Sequence, residues 1–244
     1  MLRICLIGDS HLAALKQGWP SIEAEFPDTE VAFFAAGGDM MLDLVVRGRR
    51  LQPSTEKLRE ILKFTSGRGA RIQNTFDRYV LCGLRFSIEF AVKLRTENGN
   101  SIAPDDLYSV YDAAVGPETL RKLRRITDAP VVIVPTPFPA FGRRVELSQH
   151  RTPQSDRDLA ETFLSTCERI ARDHGAAFLP QAAETVCADG ISTLDEFAVG
   201  AARLWPGADD NSHMNAKFGA IALRRALLAA HDHAGPLSRR IAVE

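Results

Sequence analysis

Residues 2–7 read Leu-Arg-Ile-Cys-Leu-Ile and run straight into Gly8-Asp9-Ser10-His11. A short, nearly continuous apolar run is the pattern of a strand covered on both faces. The Gly-Asp-Ser triplet after it sets a small hydroxyl on a sharp turn at the strand's end. A strand buried on both faces needs partners on either side. Four more runs of similar length and composition supply them, at residues 31–36, 79–82, 131–134 and 176–179. Helical spacing fills the intervals. Leu58, Ile61 and Leu62 share one face. Leu159, Phe163, Cys167 and Ile170 share another, on a helix that Ser155 or Asp156 is placed to cap. Phe218, Ile221, Ala222 and Leu228 form a third core-facing set, with Asn215 as N-cap and Gly235-Pro236 as the stop. Strands alternating with helices predict an α/β domain: a parallel five-stranded sheet with helices on both faces. A chain of 244 residues is long enough to bury its core as one domain, expected over residues 1–235.

Two stretches break the pattern. Residues 85–125 contain Glu97-Asn98-Gly99-Asn100, Pro104 and Gly116-Pro117, which reads as an insertion or lid of helices and loops. Residues 181–209 are irregular as well, and residues 236–244 make a short basic tail. Arg203 and the cluster Arg121, Lys122, Arg124 and Arg125 read as solvated faces.

Charge narrows the function classes. Thirty Lys and Arg against 31 Asp and Glu give a net charge of -1, which argues against a general nucleic-acid binder. Cys5 and Cys82 stand in strand-like runs and Cys167 on a helix face, so they read as buried thiols rather than a disulfide framework, and no Cys-x-x-Cys pair suggests a metal site. No apolar run is long enough to span a membrane, and none near Met1 has the length of a signal-peptide core. The expectation is a cytoplasmic protein without a membrane partner. The oligomeric state is not legible.

In an open parallel sheet, ligands bind outside the carboxyl ends of the strands. Ser10 follows the first strand, Gly37-Gly38 the second, Gly83-Leu84-Arg85 the third and Thr136-Pro137 the fourth. Asp210-Asn211-Ser212-His213 comes after the fifth. Residues 200 positions apart in the chain are thus expected on one rim. A serine nucleophile needs a base, a group that orients the base, and donors for the oxyanion. Here the expected roles are Ser10 as nucleophile, His213 as base and Asp210, three residues before it, as orienting carboxylate. The backbone N–H groups of Ser10 and Gly38 are the expected oxyanion donors. Gly37, Gly83, His11 and Trp205 are candidates to line the substrate site, and no metal or cofactor is required.

These blocks resemble the SGNH (GDSL-type) hydrolase family. Gly8-Asp9-Ser10 matches its nucleophile block, Gly37 or Gly38 its glycine oxyanion donor, and Asp210 with His213 its Asp-x-x-His block. The spacing spans essentially the whole chain. The resemblance implies a three-layer α/β/α, flavodoxin-like fold and cofactor-free esterase, lipase or acyl-transfer chemistry. The implied substrate is a small-molecule or carbohydrate ester, such as an O-acyl or O-acetyl group. One block departs. The family's Gly-x-Asn-Asp carries an Asn oxyanion donor, and here the matching residues are Gly83-Leu84-Arg85-Phe86. Either Arg85 itself faces the oxyanion or a substrate carboxylate, or the site lacks a donor worth about 3–4 kcal/mol in the transition state.

Each assignment has a plainer alternative. Ser10 after Gly-Asp is a common helix cap, and His213 and His11 are each placed near a helix start where a solvated His is ordinary. Gly37-Gly38 is also an adequate turn after a strand. Asp9 reads as support for the turn rather than a reacting group. Trp205 serves equally as a pocket wall or as loop packing. A non-catalytic module that binds an anion at the rim through Arg85 is the reading from a different class.

Overall fold

The computed structural model describes residues 1–98, 102–140, 153–200 and 213–232. Five strands form the central sheet: β1 (Leu2–Gly8), β2 (Thr29–Ala35), β6 (Arg78–Cys82), β7 (Val131–Val134) and β8 (Ala177–Phe178), in the order β2-β1-β6-β7-β8 with every neighbouring pair parallel. All five anticipated strands are present, with ends shifted by at most two residues and Val131–Val134 as expected. β1 is an inner strand flanked by β2 and β6, and its Ile4, Cys5, Leu6 and Ile7 are fully buried.

The pleat divides the strand residues between two cores. Cys5, Ile7, Phe34, Tyr79, Leu81 and Ile133 face one layer. That layer contains α2 (Glu56–Ser66), α3 (Ile88–Glu97), α4 (Pro104–Asp112), α5 (Val115–Arg124) and α6 (Pro153–Asp173). Ile4, Leu6, Phe33, Val80, Cys82 and Val132 face the other, which holds α1 (Leu12–Ile22) and α7 (Ala216–Asp232). This is the three-layer α/β/α arrangement.

The stretch read as an insertion or lid contributes α3, α4 and α5. Their Ala91, Leu107, Tyr111, Leu120 and Leu123 are wholly buried in the first core. Nor is the basic cluster on α5 simply solvated. Arg124 donates to the carbonyls of Ala129 and Gly175, and burial pulls its pKa down. Lys122 Nζ donates to the Leu42 carbonyl at 2.8 Å, fastening α5 to the segment after β2.

α1 and α7 are in backbone contact. A Cβ on Gly219 would lie 1.8 Å from the Ala14 carbonyl oxygen, and one on Gly18 would lie 2.3 Å from the Ala220 nitrogen. This contact sets the rotation of α7. Phe218, Leu223, Ala226, Leu227 and Ala230 turn inward, while Leu228, expected in the core, is 50% exposed. Asn215 caps α7 as expected, its Oδ1 accepting from Phe218 N at 3.1 Å. α6 starts at Pro153, so Ser155 and Asp156 fall inside its first turn and not at the cap. Proline suits a first helical position because its missing N–H has no helical acceptor there.

An unexpected second sheet is antiparallel, in the order β3 (Leu44–Val46), β4 (Arg50–Pro53) and β5 (Ile72–Gln73). Gly48, at φ +58°, turns the β3–β4 hairpin. Cys5, Cys82 and Cys167 are buried free thiols, and Cys187 is half-buried. No helix among the described residues is long and apolar enough to cross a membrane. Residues 236–244 lie outside the described residues.

Candidate active site

Register places the site. Gly8 pairs with Ala35 on one side and Cys82 on the other, and Cys82 pairs with Val134. Four strands therefore end level. The segments leaving them, with Ser10, Gly37-Gly38, Gly83-Leu84-Arg85 and Thr136, start from one edge of the sheet.

Ser10 sits in the turn between β1 and α1. Its Oγ lies 2.7 Å from His213 Nε2, a contact between residues 203 positions apart. Both side chains are half-buried. His11 stacks on His213, with ring centroids 4.8 Å apart and planes inclined by 28°. The residue after Ser10 thus forms one wall against the imidazole.

Asp9 does structural work, as its place in the turn suggested. Its Oδ1 accepts from His11 N at 3.0 Å and its Oδ2 from Leu84 N at 2.7 Å. One carboxylate therefore ties the turn after β1 to the turn after β6. Gly83 makes room for it, since a Cβ there would lie 2.4 Å from Asp9 Oδ1. Gly83 is at this point a support for Asp9, whatever else it lines.

The turn after β6 is strained. Gly83, Leu84 and Arg85 have φ of 74°, 53° and 70°, three left-handed residues in succession. For Leu84 and Arg85 this costs roughly 1–2 kcal/mol each. Such strain persists only where the surroundings impose it. The Asp9 bond to Leu84 N is one restraint. The other lies at the far end: Arg85 Nε and Nη2 donate to Asp39 Oδ1 and Oδ2 at 2.8 and 3.1 Å, a bidentate pair. Each partner raises the other's preference for charge. Arg85 holds the Asp39 carboxyl below its usual range, and Asp39 pushes the guanidinium pKa up. Both side chains remain 52% exposed.

Asp39 follows Gly38, which is itself left-handed at φ +59° and has open space where a Cβ would stand. Conformation rather than crowding therefore calls for glycine at position 38. Gly37 has only the end of Met40 within reach. Neither Ser10 N–H nor Gly38 N–H has an acceptor among the described residues. Asp210 and Trp205 belong to residues 201–212, outside the described residues.

The rim thus brings together Ser10, His213, His11, Asp9, Gly38 and Arg85. The pairing of Arg85 with Asp39 was missed in the sequence. Its available signal was an acidic residue directly after the Gly37-Gly38 turn. The stacking of His11 on His213 had no signal in spacing.

No protein-family model matches the chain, and no curated protein matches it. Solved structures do. The fold is similar to the periplasmic domain of a lipopolysaccharide acetyltransferase from Salmonella serovar Paratyphi A, at 14% identity and TM-score 0.50, over 93% of this chain and 82% of that one. A lipase from a goat rumen metagenome matches at 12% identity and TM-score 0.49, over 94% and 97%. An extracellular lipase from Streptomyces rimosus matches at 14% identity and TM-score 0.49, over 94% and 100%. At these identities the likeness is one of fold.

Proposed function

We propose that the chain is a serine-dependent acyl hydrolase of the SGNH type, acting on an ester such as the O-acyl or O-acetyl group of a small molecule or carbohydrate. The observation that carries the reading is the 2.7 Å contact between Ser10 Oγ and His213 Nε2 at the carboxyl edge of the sheet. A hydroxyl donating to an imidazole nitrogen is the first requirement of nucleophilic catalysis.

With Nδ1 protonated, Nε2 accepts the Ser10 proton as Oγ attacks the ester carbonyl. Asp210 is assigned the orienting role at Nδ1, on the spacing of Asp-x-x-His alone. The Ser10 and Gly38 N–H groups take the oxyanion, consistent with their lack of other acceptors among the described residues. Imidazolium then returns the proton to the leaving alcohol. Water, activated by the same base, cleaves the acyl-enzyme and restores Ser10.

Arg85 is given a positioning role. Two donors of its fork are committed to Asp39, which fixes the chain next to Gly38. His11 restrains the base by stacking. If a sugar hydroxyl replaced water in the second half, the same groups would perform acyl transfer. The acetyltransferase domain that shares the fold makes that acceptor worth including in the assay.

The test is labelling with a fluorophosphonate probe together with hydrolysis of p-nitrophenyl acetate. Parent protein is expected to be labelled and to turn over. Ser10→Ala is expected to lose both while keeping its circular dichroism spectrum and melting temperature. Unchanged turnover in folded Ser10→Ala rules the reading out.

A further inference from the structure

A second cavity is lined by none of the rim residues Ser10, His11, Arg85 and His213. Between α2, the strands β4 and β5, and the starting ends of β1 and β6 is a cavity of about 540 Å³. That is within the size range of small-molecule sites, roughly 300–1,000 Å³. Arg3 lies at its wall, near the start of β1, whereas Ser10 follows that strand's end. Five residue steps along the strand take Arg3 to Gly8, roughly 17 Å at the usual rise per residue.

The lining is cationic. Arg3, Arg59, Lys63, Arg68 and Arg71 contribute to it, and no carboxylate side chain does. The five come from β1, α2 and the segment before β5, so they do not form the solvated face of a single helix. Three carboxylates outside the lining pair with four of them. Glu30 bridges Arg3 and Arg68, Glu56 meets Arg59, and Glu60 meets Lys63. Arg71 has no ion-pair partner among the described residues. All of these pairs are partly solvent-exposed, and such pairs are worth about 0–1 kcal/mol each, too little to hold a guanidinium against a better partner. The floor is apolar. Phe34 and Phe76 are 3% and 8% exposed, and the Arg3 guanidinium lies 5.1 Å from the Phe76 ring centroid.

Planar guanidinium forks converging in a cleft with an apolar floor match the oxygens of phosphate groups. We propose that this cavity binds a small phosphorylated metabolite carrying at least two phosphate charges, independently of the chemistry at Ser10. A concave site of this volume takes a compact polyanion, with Arg71 and Lys63 on opposite segments meeting its phosphates. The exposed Glu56 and Glu60 carboxylates are displaced from the cations they pair with.

The probe is inorganic pyrophosphate, titrated into the full chain by calorimetry at low chloride, with acetate as the monovalent control. The expected result is one-site binding that weakens as salt is added. Arg71→Glu is expected to raise the Kd by at least about tenfold, the loss of one charge-assisted contact. The double variant Arg59→Ala, Lys63→Ala is expected to do the same with Arg71 intact. Ser10→Ala is expected to bind pyrophosphate like the parent, separating this site from the candidate active site. Absence of binding up to about 5 mM, a range of millimolar affinity, overturns the proposal. So does parent-like affinity in both charge variants, or acetate binding as well as pyrophosphate does.

Discussion

Asp9 is the most informative residue to remove, because one side chain holds two turns and has no step of its own in the proposed chemistry. Its carboxylate accepts from His11 N at 3.0 Å and Leu84 N at 2.7 Å. Hydrogen bonds to a charged group contribute about 1.5–3 kcal/mol each. Asp9→Ala deletes both and leaves two backbone N–H groups in a half-buried turn, partly open to water. Allowing for that access, the expected loss is about 2–4 kcal/mol, which for a chain of this length lowers the melting temperature by roughly 5–12 °C. The strain at Leu84 and Arg85 adds a second consequence. Without the restraint, the left-handed run can relax, releasing roughly 1–2 kcal/mol per residue. That recovers part of the stability and moves Arg85, while loss of the bond to His11 N loosens the turn that carries Ser10. Activity should then fall more than stability predicts. A displacement near 1 Å at a reacting group costs about 10²-fold, so kcat/KM on p-nitrophenyl acetate is expected to drop by that order under conditions where the variant is fully folded. Asp9→Asn keeps one acceptor oxygen and should fall between the two. The measurements are urea unfolding and steady-state kinetics on the same preparations. An Asp9→Ala protein as stable and active as the parent would refute the assignment of this carboxylate as the tie between the turns.

Arg85→Ala is expected to change stability by less than about 1 kcal/mol, since its pair with Asp39 is exposed. A positioning role predicts a fall in kcat/KM of about tenfold that is not additive with Asp39→Ala, read from a double-mutant cycle; a loss of about 10²–10³-fold would instead mark a direct oxyanion donor. Gly219→Ala should destabilise by about 3 kcal/mol or more, because its Cβ meets the Ala14 backbone at 1.8 Å and α1 and α7 must separate, a change that thermal melts will show. Whatever ends hydrolysis on acidification, Asp39 should not be the cause. Its pKa is lowered by Arg85, so the pair's contribution is complete above the ordinary carboxylate range, about pH 4, and is lost only as pH falls below it. An acid limb of the rate profile that vanishes in Asp39→Asn would contradict this.

The sheet was readable because strands buried on both faces must be apolar throughout. Ile4, Cys5, Leu6 and Ile7 report that burial directly. The rim followed from topology, since parallel strands send all their carboxyl ends to one edge, and that put Ser10 and His213 together before any distance was known. The N-cap at Asn215 was equally local. Other features depended on contacts that no window of sequence contains. Leu228 fits a helical stripe as well as Leu227 does, and the close approach of Gly219 to Ala14 decided which turned inward. The antiparallel sheet joins β4 to a two-residue β5 some 20 positions on, too short to carry a period. Arg124 looked like a solvated charge until the carbonyls of Ala129 and Gly175 were placed around it. Arg85 is the sharpest case. Its identity announced a departure from the resembled motif, but its partner is set by two turns that leave different strands at the same height. Local pattern determines which segments become strands and helices, because hydrophobic periodicity is a property of adjacent residues. Which side chains meet across the gaps is determined by packing, and there a single glycine or carboxylate outweighs the pattern.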